Sequence, residues 1–195
     1  MTSILKADTI QDTDGNNIIN ENSNTITIGA SGDTTNIIGT LQNNGAAVGG
    51  TNTPNFKVYR NTTQSISSAS WTKMQFNTES FDTASAFDNS TNYRFTIPSG
   101  QAGKYFFTCH GQIAQSTQDL NRLIIAIRKN GTAVVELEED GAYDEYTMSF
   151  QATLIDDASV GDYYEGWIYQ INSGSDALNM QADRKNGFSG FKLIE

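Results

Sequence analysis

The placement of the aromatic side chains divides this chain more sharply than any other feature. All 20 Phe, Tyr and Trp residues lie from Phe56 onward, and residues 1–54 contain none. Large apolar side chains dominate the burial that makes a core, so only the second region has the bulk to form one unaided. The step falls at Gly49-Gly50-Thr51-Asn52-Thr53-Pro54, where paired glycines, turn formers and a proline read as a linker. Two regions are expected, 1–54 and 55–195.

The first region has a pattern of its own. Ile18-Ile19, Ile26 with Ile28, and Ile37-Ile38 recur between Gly, Asn and Asp turns. Strands this short cannot bury a core within one chain. Three copies stacked about a common axis could bury the isoleucines between chains, as β-helical shafts do. The alternative is a disordered polar tail.

From Phe56 the period changes to two, the signature of strands. Expected strands are Phe56–Tyr59, Trp71–Asn77, Tyr93–Ile97, Lys104–Ala114 and Arg122–Lys129. Asn130-Gly131 is a preferred two-residue hairpin turn, so Thr132–Leu137 should return beside Arg122–Lys129. Tyr146, Met148, Phe150, Ala152 and Leu154 alternate with polar residues, and Asp162–Ile171 and Phe188–Ile194 complete the set. No convincing amphipathic helix is present. The 22 Thr, 19 Asn and 17 Gly against 2 Pro suit short strands joined by tight turns. The expected fold is all-β, a sandwich or jelly roll.

Composition excludes several function classes. With 12 basic and 22 acidic side chains the net charge is −10, which supplies no positive stripe for nucleic-acid phosphates or an anionic membrane. Cys109 is the only cysteine, so no internal disulfide and no cysteine-based zinc site can form. No apolar run approaches the length of a membrane span, and Met1–Ile10 lacks the apolar segment of a secretory leader. The sequons at Asn61, Asn89 and Asn130 read as turn chemistry.

Several segments of the second region have a familiar order. Trp71…Phe76-Asn77 is followed by Phe87-Asp88-Asn89-Ser90-Thr91-Asn92-Tyr93-Arg94-Phe95, then by Pro98 and Gly103-Lys104-Tyr105-Phe106-Phe107. Leu123–Lys129 leads into Asn130-Gly131, Gly161-Asp162 follows the strand at Leu154, and the end reads Phe188-Ser189-Gly190-Phe191. Residues 56–194 thereby resemble the C1q/tumour-necrosis-factor-like jelly roll. That resemblance implies a two-sheet sandwich of about ten strands that associates as a tight homotrimer. Core or trimer-interface positions would be Phe76, Phe95, Tyr105, Phe107, Phe150, Trp167, Phe188 and Phe191.

At the other end, Ser3-Ile4-Leu5-Lys6-Ala7-Asp8-Thr9-Ile10-Gln11 and Thr25–Thr35 are similar to the opening segments of virion structural proteins of tailed bacteriophages. Such segments occur in fibres, decoration proteins and tail components. The implied protein is a small trimeric fibre with a short β-rich anchor or shaft and a projecting knob. Ile4, Leu5, Ile10, Ile18 and Ile19 would attach it to capsid or tail proteins of the virion. It would be made in the host cytoplasm without membrane insertion. Alternatives are a capsid cement protein that stabilises the particle and a soluble C1q-like binding protein with no virion.

Catalysis is not expected. Many carboxylates are present, but nothing in the sequence selects two as a glycosidase pair. Cys109 and His110 are adjacent on a strand and point to opposite faces, so they cannot act as nucleophile and base. Glu136, Glu138, Glu139, Asp140, Asp144 and Glu145 form the densest charge run. Their spacing lacks the alternating pattern of a calcium loop, and a solvated loop capping a hairpin is expected, with no metal or cofactor. Tyr163, Trp167 and Tyr169 share one strand face, a ring-lined surface of the kind that binds sugars, though the core or trimer axis is the expected destination. Recognition of a host-surface glycan or protein is assigned to loops: Gln115, Ser116 and Gln118; Glu139, Asp140 and Asp144; and Ser173 and Asp176.

Overall fold

Extended chain is what a period of two produces, and strands fill the second region. The computed structural model describes residues 37–39, 41–43, 46–47, 52–114, 120–141 and 147–193. Among them no residue is helical, and every strand ladder is antiparallel.

The chain divides into two units, Met1–Gly49 and Gly50–Glu195. In the first, β1 (Gln42–Asn43) pairs with β2 (Ala46–Ala47), and Ile37 and Ile38 are exposed. The second begins with β3 (Asn55–Arg60), β4 (Gln64–Ile66), β5 (Thr72–Lys73), β6 (Thr78–Asp82), β7 (Phe87–Asp88) and β8 (Arg94–Thr96). The long strands follow: β9 (Gly103–Ala114), β10 (Leu120–Lys129), β11 (Thr132–Asp140), β12 (Thr147–Ala158) and β13 (Tyr163–Asn172). Then come β14 (Leu178–Met180) and β15 (Asp183–Lys192).

These strands build two sheets. One has the order β11-β10-β13-β8-β7, with β5 also pairing β13; the other runs β4-β14-β9-β15-β3-β6, with β12 along the remaining edge of β9. The core lies between them. Tyr105, Phe107, Cys109 and Ile113 project inward from β9, and all are fully buried. Phe107 stacks on Tyr164 of the facing sheet at 4.1 Å between ring centroids, and Phe56 stacks on Phe95 at 4.4 Å. Of the aromatics expected in the core or a trimer interface, Phe76, Phe95, Tyr105, Phe107 and Phe188 are buried in the core, and Phe150 packs half-buried against them.

Trp167 and Phe191 are not in the core. On β13 the inward phase belongs to Tyr164, Gly166 and Ile168, which places Tyr163, Trp167 and Tyr169 on the outer face. On β15 Phe191 pairs with Phe106 on the outer face of the second sheet.

Other departures have local causes. The strand expected over Trp71–Asn77 is paired as β5 only at Thr72–Lys73. Beyond it the buried side chain of Gln64 takes a strand's place: its Nε2 donates to Lys73 O at 2.8 Å, and its Oε1 accepts from Gln75 N at 2.9 Å. Tyr93 sits at φ 50°, closing the turn before β8 rather than extending it. The acidic run is not wholly a loop, because β11 continues to Asp140 opposite Arg122. Alternation puts Glu138 and Asp140 on the Arg122 side, at 3.2 and 2.8 Å from its Nε. The expected hairpin at Asn130-Gly131 is present, with φ of 51° and 82°. It is tied to the next strand because Asn130 Oδ1 accepts from Tyr163 N. Strands β4, β6, β7 and β14 are too short for their alternation to stand out.

Two glycines let the rings approach the sheets. A Cβ on Gly166 would lie 2.6 Å from Cys109 Sγ and 3.0 Å from Phe76 Cε2, and one on Gly190 would lie 2.5 Å from Phe107 Cδ1 and 2.9 Å from Phe106 O. Gly166→Ala and Gly190→Ala should each destabilise the fold by about 1–3 kcal/mol in chemical denaturation. Because the nearest obstacle at Gly166 is the Cys109 sulfur, Cys109→Ala should be less than additive with Gly166→Ala, with the Phe76 ring leaving part of the cost. At Gly190 the Phe106 carbonyl stays in place whatever becomes of the Phe107 ring, so truncating that one side chain should not relieve the cost in full.

Candidate functional site

Each sheet has an outward face carrying more than polar filler. On the second sheet, direct pairing aligns Ile155, Phe106 and Phe191 in one row across β12, β9 and β15. Phe106 and Phe191 touch at 5.4 Å between centroids, while Ile155 is 63% exposed. In the adjacent row Thr153, Thr108, Ser189, Lys57 and Phe81 follow one another from β12 to β6, and Phe81 is 48% exposed. The hydroxyl of Thr108 is buried without a hydrogen-bond partner. Beyond these rows His110 approaches the carbonyl of Arg184 at 3.3 Å. Burial holds its pKa down, with help from the charge of Lys57, against the opposing pull of that carbonyl.

The first sheet carries rings and cations. Arg128 on β10 pairs with Glu165 on β13, and its guanidinium lies 4.1 Å from the Trp167 ring centroid and 5.1 Å from that of Trp71. Trp71 in turn contacts Tyr169 at 5.4 Å. Arg94 on β8 covers the ring of Tyr163 at 4.2 Å. Between them, Glu165 is almost fully buried, and both of its oxygens are engaged: Oε1 by Lys73 Nζ at 2.5 Å, Oε2 by Trp167 Nε1 at 3.1 Å. The ring-lined face seen in the sequence is thus a surface, not a core. The cue was Gly166, whose missing side chain marks its own phase, shared with Tyr164 and Ile168, as the crowded one.

Of the loop residues expected to recognise a partner, Gln115, Ser116, Gln118 and Asp144 lie outside the described residues, as do the attachment residues Ile4, Leu5, Ile10, Ile18 and Ile19. Glu139 and Asp140 are on the edge strand β11. Ser173 and Asp176 lie in the turn between β13 and β14, which is held from below. Asn172 Oδ1 accepts from the backbone of Gly174 and Asp176, while its Nδ2 and Gln170 Nε2 both donate to Asp176 O. Cys109 is buried, with its thiol pKa raised by burial, and its neighbour His110 lies on the other face. Among the described residues no three His, Cys, Asp or Glu side chains converge as a metal site.

No protein-family model and no curated protein matches the chain. Solved structures do match. The globular domain of zebrafish complement 1qA is similar over 73% of this chain and 98% of its own, at 19% identity and a TM-score of 0.51. The Eiger TNF of S. frugiperda is similar over 72% and 92%, at 10% identity and 0.54. Murine APRIL is similar over 71% and 98%, at 10% identity and 0.52. The knob is therefore an all-β jelly roll of the C1q/TNF type. Identities this low speak to the fold alone.

Carboxylates lock the corners of this fold. Asp88 accepts from the backbone of Thr91, Ser90 and Asn92 and from the Asn92 amide, bonds that hold it far below the usual carboxylate range. Asp162 is lowered by the Asn130 amide, by Ser159 N and by Lys129. At Asp156 burial raises the pKa, but Lys129 and Tyr164 outweigh it. Groups depressed in the folded state stabilise it above their unfolded pKa and lose that contribution as pH falls through the folded value. Stability should thus ease downward below about pH 6.5, where the unfolded chain protonates a histidine, His110, that burial keeps neutral in the fold. It should fall further below about pH 5, through the ordinary carboxylate value of about 3.9. Asp88→Ala should cost on the order of 1 kcal/mol at pH 7, and its penalty should shrink on acidification, measured as melting temperature against pH.

Proposed function

We propose that this chain is a non-enzymatic virion structural protein, a homotrimeric fibre whose N-terminal region attaches to the particle and whose jelly-roll knob projects for host-surface adhesion. The observation that carries the trimer is the row Ile155–Phe106–Phe191 with Phe81 beside it, an apolar patch on the outward face of a sheet. Contiguous exposed apolar area of this kind marks an interaction surface. A second and third copy of the same chain suit it because a closed three-fold ring covers the patch on every subunit at once. The buried, unpartnered hydroxyl of Thr108 next to it is a polar group that a neighbouring chain can satisfy.

The virion role draws its support from the other unit. Met1–Gly49 has no aromatic residue to build a core, its Ile37 and Ile38 are exposed, and its opening resembles phage structural proteins. Isoleucines left uncovered by their own chain call for other chains, either the two sister subunits or the particle. Adhesion then works by avidity, since three identical faces per fibre and many fibres per particle multiply a weak contact.

Sedimentation equilibrium of the full chain should give a trimer. Ile155→Asp changes a residue already 63% exposed, so the fold should survive while three carboxylates are placed in the interface at several kcal/mol; a folded monomer by circular dichroism and sedimentation is the expected result. A stable wild-type monomer at micromolar concentration would overturn the trimer. Deleting residues 1–49 should leave the knob trimeric and abolish incorporation into particles. Particles lacking the chain should attach poorly to their host, and normal attachment would remove the adhesion role in favour of a cement.

A further inference from the structure

The rings and cations on the outward face of the first sheet have a chemistry that trimerisation does not use. We propose that this face, centred on Arg94, Arg128 and Trp167, binds a carboxylate-bearing polysaccharide, which names the ligand of the adhesion role and rests on that reading.

Charge is the first reason. The chain carries net −10, and Asp88 stands directly opposite Arg94, but its carboxylate is taken up by the backbone amides of Ser90, Thr91 and Asn92. The other carboxylate among Arg94, Arg128 and Lys73 is Glu165. Lys73 and the Trp167 indole occupy that carboxylate, and among the described residues no carboxylate lies within 4.0 Å of Arg94 or Arg128. Two guanidiniums whose neighbouring carboxylates are held by other donors are left open to an anion.

Geometry is the second. Each guanidinium sits over a ring, Arg94 over Tyr163 at 4.2 Å and Arg128 over Trp167 at 4.1 Å from the centroid. The Nε of each is buried and unpartnered, leaving the terminal nitrogens to meet a ligand. A planar fork fixed in this way presents paired donors to a carboxylate with little further ordering. Arg128 lies opposite Glu165 and Arg94 adjoins Phe95, which pairs with Tyr164, so the two arginines flank β13. Two interstrand spacings put their backbones about 10 Å apart, and their guanidiniums rest on rings four residues apart along β13, Tyr163 and Trp167, so an extended polymer rather than a single sugar is the ligand that reaches both. Beside them Trp71 and Tyr169 supply the flat apolar edges against which sugar rings pack.

The test is binding of the full-length chain to immobilised alginate, a carboxylate polysaccharide, beside neutral dextran and inorganic polyphosphate. Alginate should bind, dextran should not, and polyphosphate should bind more weakly than alginate. Arg94→Gln with Arg128→Gln should weaken alginate binding about tenfold or more, with sedimentation showing the trimer intact. Arg94→Lys with Arg128→Lys, which keeps the charge and loses the fork, should recover only part of it. Arg122→Gln, removed from the same sheet but already paired with Glu138 and Asp140, should bind as wild type. No alginate binding, unchanged binding by the double Gln variant, or polyphosphate binding as tight as alginate would each overturn the proposal. Host attachment by particles is scored separately, so adhesion can survive the loss of this ligand.

Discussion

Phe107 stands between the two sheets, and the rest of the knob is arranged around the phase of the strand that carries it. β9 pairs with β12 along one edge and with β14 and β15 along the other, so its alternation sets which residues face inward on three neighbours. A slip of one residue would expose Tyr105, Phe107 and Cys109 and drive Lys104, Thr108 and His110 into the interior. The penalty for that exchange gives the sandwich one register. Glycine completes the arrangement where the ring of Phe107 or the sulfur of Cys109 needs the space of a side chain, at Gly190 and Gly166.

That phase was also the most legible part of the sequence. Long strands such as β9, β12 and β13 announce themselves because ten or more residues repeat the pattern, and the Asn130-Gly131 turn sets the β10–β11 hairpin by backbone preference alone. What stayed hidden has physical reasons. Alternation separates two faces of a strand without saying which is buried, so Tyr163, Trp167 and Tyr169 could be assigned to the core until Gly166 is weighed against them. Gln64 acts through its side chain as a substitute strand, and no periodicity records a side chain that borrows the backbone's hydrogen bonds. The acidic run reads in sequence as a solvated loop capping a hairpin, and its β11 part is solvated but paired. On an edge strand, however, charge is compatible with pairing and even protects the edge from further pairing.

The candidate site was the least legible, because it depends on where charge sits and not on how much there is. A net charge of −10 argues against anionic partners only if the charge is spread evenly. In this fold carboxylates collect on β11 and at the corners held by Asp88, Asp156 and Asp162. Meanwhile Arg94, Lys73 and Arg128, which are far apart in sequence, converge on the outer edges of β13 because β8, β5 and β10 all pair with it. Topology alone makes this grouping. No window of sequence contains it.

A site built on a sheet face differs from one built on loops in what it can offer. Strand residues are fixed by the ladder, and here the arginines are fixed further by the rings beneath them, so little ordering remains to oppose binding. The same flatness limits how much of a ligand one subunit can enclose, which keeps each contact weak. A repetitive polymer suits such a surface, since any stretch of it presents the same groups, and in the proposed trimer three faces around one axis would engage it together. Linkage raises the effective concentration of the second and third contacts to the millimolar range. An outward face of rigid, weak and identical sites therefore suits a fibre, in which the number of contacts compensates for the weakness of each.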